Sequence, residues 1–121
     1  MTAEARRHAE RAGRRAETLA EWRYRLAGFA VLARRYKTRA GEVDLVLRRG
    51  RLVVFAEVKA RRRPEDAVAA VGPQARRRIE AASSLYLARV PGAGDCAVRY
   101  DIVAVSGWRP RLFADAWRQG D

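Results

Sequence analysis

Two runs of apolar residues, 41–47 and 51–59, constrain the fold of this chain more than any other feature of its sequence. Each run has the length of a β-strand, and Arg49-Gly50 between them is a turn signal. The two runs therefore predict an antiparallel hairpin. The hairpin is unusual because its apolar strands also contain three acids and a lysine, which are Glu42, Asp44, Glu57 and Lys59.

Side chains alternate between the two faces along a strand, and this alternation predicts where the charged residues lie. In the first strand, Asp44 and Val46 share one face, and Val43 lies on the opposite face. In the second strand, Glu57 and Lys59 share a face. The hairpin therefore predicts one surface that carries charged side chains from both strands.

The turn decides how the two strands are paired. A two-residue turn at positions 49 and 50 would place Asp44 opposite Phe55 and Glu42 opposite Glu57. Asp44 and Glu57 then become diagonal neighbours on one face, roughly 7–8 Å apart at the backbone. A turn with an odd number of residues would put these two acids on opposite faces. A shared site for Asp44 and Glu57 therefore depends on the register of the hairpin.

Residues 3–27 predict one long helix, because apolar residues recur at intervals of three and four positions and a glycine follows. Glu17 borders the apolar stripe, on a flank that also contains the small residues Gly13 and Ala20. We expect these two small residues to let the flank approach the sheet closely. Glu17 has two interpretations, an exposed residue paired with Arg14 or an acid directed towards the hairpin.

The remaining chain alternates between strand and helix signals, so the sequence predicts a single α/β domain over residues 1–121. Asp101 lies within a predicted strand and either stabilises the fold or neighbours the acids of the hairpin; we favour the structural role. The further predicted elements are strands at 29–36 and 97–106, a basic loop at 37–41, a short helical turn or mobile loop at 65–72, a helix at 74–90, a strand break at 108–110, and a short terminal element at 112–117.

The charge of the chain points to a polyanionic partner. Its 26 basic residues outnumber 14 acidic residues, giving a net charge of +12, and cationic side chains supply most non-specific affinity for nucleic acid. An arginine-biased genome or a basic surface that serves solubility would leave the same excess. The basic residues that could contact phosphate, or could simply form solvated surface, are Lys37, Arg39, Arg61, Arg76 and Arg77.

Other classes of protein are disfavoured. No stretch approaches the ~18 apolar residues of a membrane span, and the N-terminus lacks an apolar signal core. The single cysteine, Cys96, permits no internal disulfide, which fits a reducing compartment. We therefore expect a cytoplasmic protein without a membrane partner. His8 is the only histidine, which disfavours zinc sites and histidine-based catalytic triads.

The acids of the hairpin suit a hard divalent cation. Mg²⁺ prefers carboxylate oxygens and keeps several waters, so Asp44 and Glu57 could supply two ligands and the Val58 carbonyl a third. Such a cation would activate a water and neutralise charge on a phosphate, while Lys59 could hold that water or stabilise the phosphorus centre. The alternative is a cross-strand ion network with Glu42 and nearby arginines, although buried ion pairs often stabilise no better than apolar residues.

Four short segments form an ordered pattern along the chain: Gly13-x-x-Ala16-Glu17, Gly41-Glu42-Val43-Asp44-Leu45-Val46, Phe55-Ala56-Glu57-Val58-Lys59-Ala60-Arg61 and Arg99-Tyr100-Asp101-Ile102-Val103. This pattern resembles the YraN family, which belongs to the PD-(D/E)XK, or restriction-endonuclease-like, superfamily. The resemblance extends over about residues 9–105. It implies an α/β fold with a restriction-endonuclease-like mixed central sheet flanked by helices, as in Holliday-junction resolvases, and Mg²⁺-dependent hydrolysis of phosphodiester bonds.

The resemblance also implies roles for individual residues. Asp44 and Glu57 match the metal ligands of the family, Lys59 matches its catalytic lysine, and Glu17 matches the acid of its first helix. Glu42 matches the acid of the Gly-Glu-x-Asp motif and is expected to support the site.

One position departs from the family pattern. The family usually has a lysine or glutamine inside the start of the second long helix, where this chain has Gln74 shifted by about one position. A supporting role of Gln74 is therefore implied only by its residue type.

Together these features predict an endonuclease that uses Mg²⁺ or Mn²⁺ to cut DNA, with branched or damaged DNA as candidate substrates. Cutting of a four-way junction would further imply a homodimer. One alternative is a nucleic-acid-binding protein that has the same fold but no turnover. A role in RNA processing or at the ribosome would leave the same charge pattern.

Overall fold

The computed structural model describes residues 1–120. Its centre is one five-stranded sheet, on which the helices pack. In chain order the elements are helix α1 (Ala3–Leu26), strands β1 (Ala30–Thr38), β2 (Gly41–Arg49) and β3 (Leu52–Ala60), helices α2 (Pro64–Ala69) and α3 (Pro73–Arg89), a 3₁₀ turn (Ala93–Asp95), and strands β4 (Ala97–Ser106) and β5 (Arg109–Trp117).

The strands follow their chain order across the sheet, β1-β2-β3-β4-β5. All neighbours are antiparallel except β3 and β4, which are parallel. A parallel pair requires a crossover connection, and α2 and α3 provide it. The mixed sheet with flanking helices confirms the predicted α/β fold and is consistent with a restriction-endonuclease-like architecture.

The sheet is covered by helices on both faces, so it has two apolar cores. α1 covers one face and α3 the other, with Val54 and Ala56 of β3 facing α1 and Phe55 facing α3. Alternation in β3 is therefore as predicted. It places Glu57 on the same face as Phe55, towards α3.

α1 contacts the sheet through Ala16, Ala20 and Tyr24, all of which are buried. The predicted close approach is confirmed at Ala20, which has no exposed surface. It is wrong at Gly13, where an added Cβ would meet no atom within 4 Å. The helix approaches the sheet in its second half, and its first turns extend beyond the sheet.

The β2–β3 hairpin turns one residue later than predicted, at Gly50 and Arg51 instead of Arg49 and Gly50, and begins with the pair Arg49↔Leu52. Gly50 has a φ of +60°, and glycine at the first of two turn positions is typical of a type II′ turn. The pairing therefore shifts by two residues, an even number, which by itself moves no side chain to the other face.

This shift moves Asp44 relative to its partners. The ladder pairs Phe55 with Val46 and ends at Leu45↔Ala56, so the predicted pairing of Asp44 with Phe55 is wrong and the ladder does not extend to a pair of Glu42 with Glu57. The carboxyl groups of Asp44 and Glu57 are nevertheless adjacent, close enough for Asp44 to raise the pKa of Glu57.

The alternation predicted for β2 is wrong at one step. Val43 and Val46 pack in the same core, on the α3 side, although they should face opposite sides of a regular strand. The irregularity occurs at Asp44, whose register partner in β1 is Arg35, between the pairs Arg34↔Leu45 and Tyr36↔Val43. Arg35 has a φ of +49°, so both strands are irregular at the same step.

Two connections differ from the sequence prediction. The predicted basic loop at 37–41 is mostly strand, because β1 runs to Thr38 and the turn needs only two residues. The predicted break after the strand 97–106 is confirmed, since β4 ends at Ser106 and Gly107, at a φ of +61°, allows a tight turn, but the next strand begins at Arg109 and not at Leu112. Pro110 is tolerated because β5 is an edge strand.

Other predicted elements are confirmed. The helical interpretation of residues 65–72 corresponds to α2, and the predicted strand at 97–106 coincides with β4. Among residues 1–120, no helix combines the length and the apolar character needed to cross a membrane.

Candidate functional site

The β2–β3 ladder ends at the pair Leu45↔Ala56, and the acids lie just beyond this end. Asp44 Oδ2 accepts a hydrogen bond of 2.8 Å from the Val58 backbone N–H. The Asp44 carboxylate thus takes the place of a main-chain acceptor in the ladder. This bond fixes the carboxylate against β3, next to Glu57.

Glu57 is an acid in an unfavourable environment. Its side chain is 15% exposed, and burial is the largest cause that raises its pKa, to about 9, with further contributions from its hydrogen bond with Asp44 and from the charges of Asp44 and Glu42. Lys59 lowers the pKa of Glu57, but its Nζ lies 3.8 Å from Glu57 Oε2 and forms no hydrogen bond with it. The protein therefore favours a protonated Glu57 beside Asp44 over two adjacent carboxylates.

Glu17 reaches the site from α1 through an arginine. Arg35 Nε lies 3.0 Å from Glu17 Oε2, and its Nη2 lies 3.2 Å from Oε1, a bidentate pair. The hydrogen bond with Glu17 raises the pKa of Arg35, and the charges of Glu17 and Asp44 add to this effect. The predicted pairing of Glu17 with Arg14 is wrong, because the partner of Glu17 is Arg35, which links α1 to the acids of the sheet.

Arg35 was not among the residues that the sequence singled out. Its left-handed backbone is uncommon for a non-glycine residue with a long side chain, and strained residues of this kind cluster at functional sites. Its neighbour Arg34 pairs with Glu21 in a similar way. Because the two arginines look alike in the sequence, only the backbone distinguishes them.

A recess on the α3 side of the sheet opens onto Glu57. Glu42 and Arg78 line it, together with Lys37 near the end of β1 and Arg39 in the β1–β2 turn. Three of the predicted residues, Glu42, Lys37 and Arg39, therefore lie around the opening that leads to Glu57.

The other predicted residues lie elsewhere. Gln74 and Arg77 are exposed at the start of α3 and do not line the recess. Arg76 is half-buried, donates to the Val71 carbonyl at 2.9 Å and lies over the ring of Trp117.

Arg61 follows β3 and is exposed. Its guanidinium donates to the Ala60 carbonyl at 2.8 Å. The structure therefore brings Arg61 close to the end of the strand that carries Glu57 and Lys59, without engaging it in an ion pair among residues 1–120.

The donor set of the site fits Mg²⁺ or Mn²⁺. In proteins Mg²⁺ is usually held by one or two carboxylates and keeps several waters, and Asp44 and Glu57 are two adjacent acids, close enough for Asp44 to raise the pKa of Glu57. Within residues 1–120 no group of three or more Asp, Glu, His or Cys side chains is arranged to hold a metal. The protein would therefore supply two carboxylates, and the other positions would fall to main-chain, water or substrate oxygens.

Asp101 is a second buried acid in the sheet, and it has no exposed surface. Its Oδ2 accepts from the Tyr24 hydroxyl at 2.7 Å and from Arg99 at 2.8 Å, and its Oδ1 accepts from Arg99 at 2.8 Å and from the Asp115 backbone N–H at 2.9 Å. Every part of the carboxylate is bound by the protein. The structural interpretation of Asp101 is confirmed.

Comparison with known proteins identifies relatives over most of the chain. A family model described as "Uncharacterised protein family UPF0102" matches residues 16–105. A UPF0102 protein of Mesorhizobium japonicum is 50% identical over 86% of this chain and 83% of its own length. A UPF0102 protein of Paramagnetospirillum magneticum is 48% identical over 91% of this chain and 89% of its own length. One from Rhizobium meliloti is 54% identical over 76% of each chain.

Proposed function

The chain belongs to the UPF0102 (YraN) family, and from that premise we propose that it is an endonuclease that hydrolyses phosphodiester bonds in DNA with Mg²⁺ or Mn²⁺. The observation that carries this proposal is the adjacent pair Asp44 and Glu57 beside Lys59. Burial and the nearby Asp44 raise the pKa of Glu57 to about 9, so without a cation Glu57 keeps a proton, which a bound cation would displace. Buried acids that lack compensating donors destabilise a fold, and a bound cation removes that cost.

Each residue of the site has a separate role in the proposed reaction. Asp44 and Glu57 would hold the cation, which when bound supplies activation of water and neutralises charge on the phosphate. Lys59, on the same face as Glu57, places an ammonium group where charge develops on the phosphate. The basic residues around the recess attract the polynucleotide.

Glu17 and Arg35 complete the site from the other side of the sheet. The bidentate pair holds the Glu17 carboxylate in one orientation. Arg35 therefore acts as a positioning residue, because it links Glu17 to the strand that carries Asp44. This arrangement keeps the acid of α1 within the same charge network as the acids of the hairpin.

Cleavage of linear, nicked and four-way-junction DNA with Mg²⁺, Mn²⁺ or EDTA tests the proposal. We expect cutting that requires the metal and falls at least about 1,000-fold in Asp44→Ala and Lys59→Ala, since each removes a group that acts on the phosphate. Glu10→Gln, on the exposed surface of α1, is the control and should cut at the wild-type rate. Metal-dependent cutting that survives Asp44→Ala would refute this site.

A nucleic-acid-binding protein without turnover is the second candidate. The observation that favours it is the engagement of Glu17: both of its carboxylate oxygens are bound by Arg35, which leaves the acid of α1 less available to a cation. Tight DNA binding that is unchanged by EDTA, without cutting of any substrate, would favour this candidate over the nuclease.

A further inference from the structure

Two neighbouring recesses on the α3 side of the sheet form one continuous trough. The first recess contains Glu42 and Glu57, and the second lies further along α3, beside Leu85. Both recesses are lined by Lys37, Thr38 and Arg39, at the end of β1 and in the turn that follows it. The trough therefore begins at the acid site and runs along the helix.

Four cations line the trough from both sides. Lys37 lies near the end of β1 and Arg39 in the β1–β2 turn, and both line one side of the trough. Arg78 and Arg89 of α3 line the other side. All four are exposed, and none forms an ion pair with another residue in the part of the chain that the structure describes. These four charges are therefore available for a ligand.

The positions on α3 give the trough a length and a direction. Arg78 and Arg89 are 11 residues apart on α3, which is about three turns, so they lie on the same face of the helix about 16 Å apart. Leu85, between them, lies on that face as well. One cation thus stands beside the acid site and one at the far end.

The two walls are held together at a glycine. A Cβ at Gly41 would lie 2.3 Å from the Arg78 carbonyl oxygen, so the backbone of the β1–β2 turn packs directly on α3. Glycine allows this close approach because it lacks a side chain. The spacing between the basic turn and the basic helix is therefore set by backbone contact.

The lining indicates which part of a polynucleotide the trough recognises. Besides the four cations it contains Thr38 and the aliphatic residues Ala75, Ile79 and Leu85, and no aromatic side chain among the described residues. Proteins that grip bases in single strands use aromatic platforms for stacking, whereas cations bind phosphates whatever the sequence.

We propose that this trough is a phosphate track, in which Lys37, Arg39, Arg78 and Arg89 bind the sugar-phosphate backbone that leads to Glu57 and do not read its bases. The inference rests on the proposed function, because it takes the acid site as the place to which the strand is delivered. It moves the recognition surface on α3 from Arg76 and Arg77 to Arg78 and Arg89.

Binding of the full chain to labelled 20-base-pair DNA duplexes of two unrelated sequences, in EDTA over a range of salt, tests the track. The variant is Arg78→Gln with Arg89→Gln. The control is Arg7→Gln with Arg11→Gln, which makes the same change in net charge on the exposed surface of α1. Because each phosphate contact contributes about 0.9 to the slope of log K against log salt, the variant should lose about 1.8 from that slope and bind about 60-fold more weakly at 0.1 M salt.

We expect the control to change affinity less than threefold, and both duplex sequences to behave alike. Equal losses in the variant and the control would overturn the track, since they would reveal only a diffuse charge effect. A preference above tenfold for one sequence would overturn backbone-only recognition.

The same proteins in Mg²⁺ separate the two proposals. Cutting by the wild type, with no binding defect in the trough variant, would refute the track and leave the nuclease standing. A binding defect as large as expected, in a wild type that cuts nothing with any metal, would refute the nuclease and leave the track standing.

Discussion

Asp44 and Asp101 are acids of the same sheet in similar backbone settings, but Asp44 is half-buried, Asp101 is fully buried, and their hydrogen-bond partners differ. Asp44 in β2 lies opposite Arg35 of edge strand β1, and Asp101 in β4 lies opposite Asp115 of edge strand β5. Both partners have left-handed backbone, with φ values of +49° and +54°. Each acid therefore faces an irregular step in an outer strand.

The difference lies in the donors. Asp101 accepts two hydrogen bonds on each oxygen, from Tyr24, Arg99 and the Asp115 N–H. Asp44 receives one backbone N–H and shares its surroundings with a second acid, Glu57. An acid that the fold satisfies stabilises the fold, and an acid that it leaves unsatisfied is available to a ligand.

The largest effect should come from Asp101→Ala. The change leaves Arg99 and the Tyr24 hydroxyl without their acceptor in the core, and breaking a buried pair in this way costs about 3–5 kcal/mol of unfolding free energy. Urea denaturation measures it. Asp115→Asn is the matched control: asparagine tolerates left-handed backbone and its N–H still reaches Asp101, so we expect a change below about 0.5 kcal/mol. A loss below about 1 kcal/mol in Asp101→Ala would remove the contrast between the two acids.

A smaller effect of opposite sign is expected for Glu57→Gln. The unfolded carboxyl has a pKa near its usual value of about 4.3, and the folded one has a pKa of about 9, so the folded state binds an extra proton between these values. Stability of the wild type is full below about pH 4.3 and falls as the pH rises towards 9. Glutamine avoids this loss, so in EDTA at pH 8 the variant should be at least about 1 kcal/mol more stable.

The gain of Glu57→Gln should vanish near pH 4, and Mg²⁺ should stabilise the wild type but not the variant. Glu10→Gln, a surface acid of α1, controls for the change in net charge. Thermal melts across pH, with and without Mg²⁺, measure all of these quantities. A variant that is less stable than the wild type at pH 8 in EDTA would mean that the protein itself satisfies Glu57, as it does Asp101.

The smallest effect concerns the left-handed step beside Asp44. Arg35→Asn relieves the backbone, since asparagine adopts left-handed φ readily, and it also removes the exposed pair with Glu17. These effects oppose each other, so the melting temperature should stay within about 3 °C of the wild type. Arg34→Asn is the control, because it loses a similar pair with Glu21 without any relief. If Arg35→Asn melts below Arg34→Asn, the left-handed step is not strained.

The sequence predicted the elements well and the details of the site unevenly. Period-two and period-3.6 patterns located the strands and helices, because burial on one face imposes these periods. Asp44 and Glu57 are adjacent although the hairpin register was predicted two residues away and β2 is irregular at Asp44. The position of the β2–β3 turn depends on Gly50, and the residues beside it do not show whether this glycine is the first or the second residue of the turn.

What the sequence could not predict was the irregular backbone. Arg35 and Asp115 adopt left-handed conformations inside strands β1 and β5, and the surrounding strand pattern does not predict these positions. The partners of Asp101 also come from three separate elements, including Tyr24 of α1. Such contacts depend on how helices dock, which periodicity does not encode.

The meander of β1, β2 and β3 has a consequence for how this protein can change over generations. Apart from Glu17, the residues of the acid site lie in one contiguous segment, 35–59, whose strands are joined by two-residue turns. The helical wall of the trough belongs to a different segment, the crossover between β3 and β4. On the proposed function, mutations or insertions in that crossover would alter how polynucleotides are held without rebuilding the acid site, so that chemistry and binding could change separately.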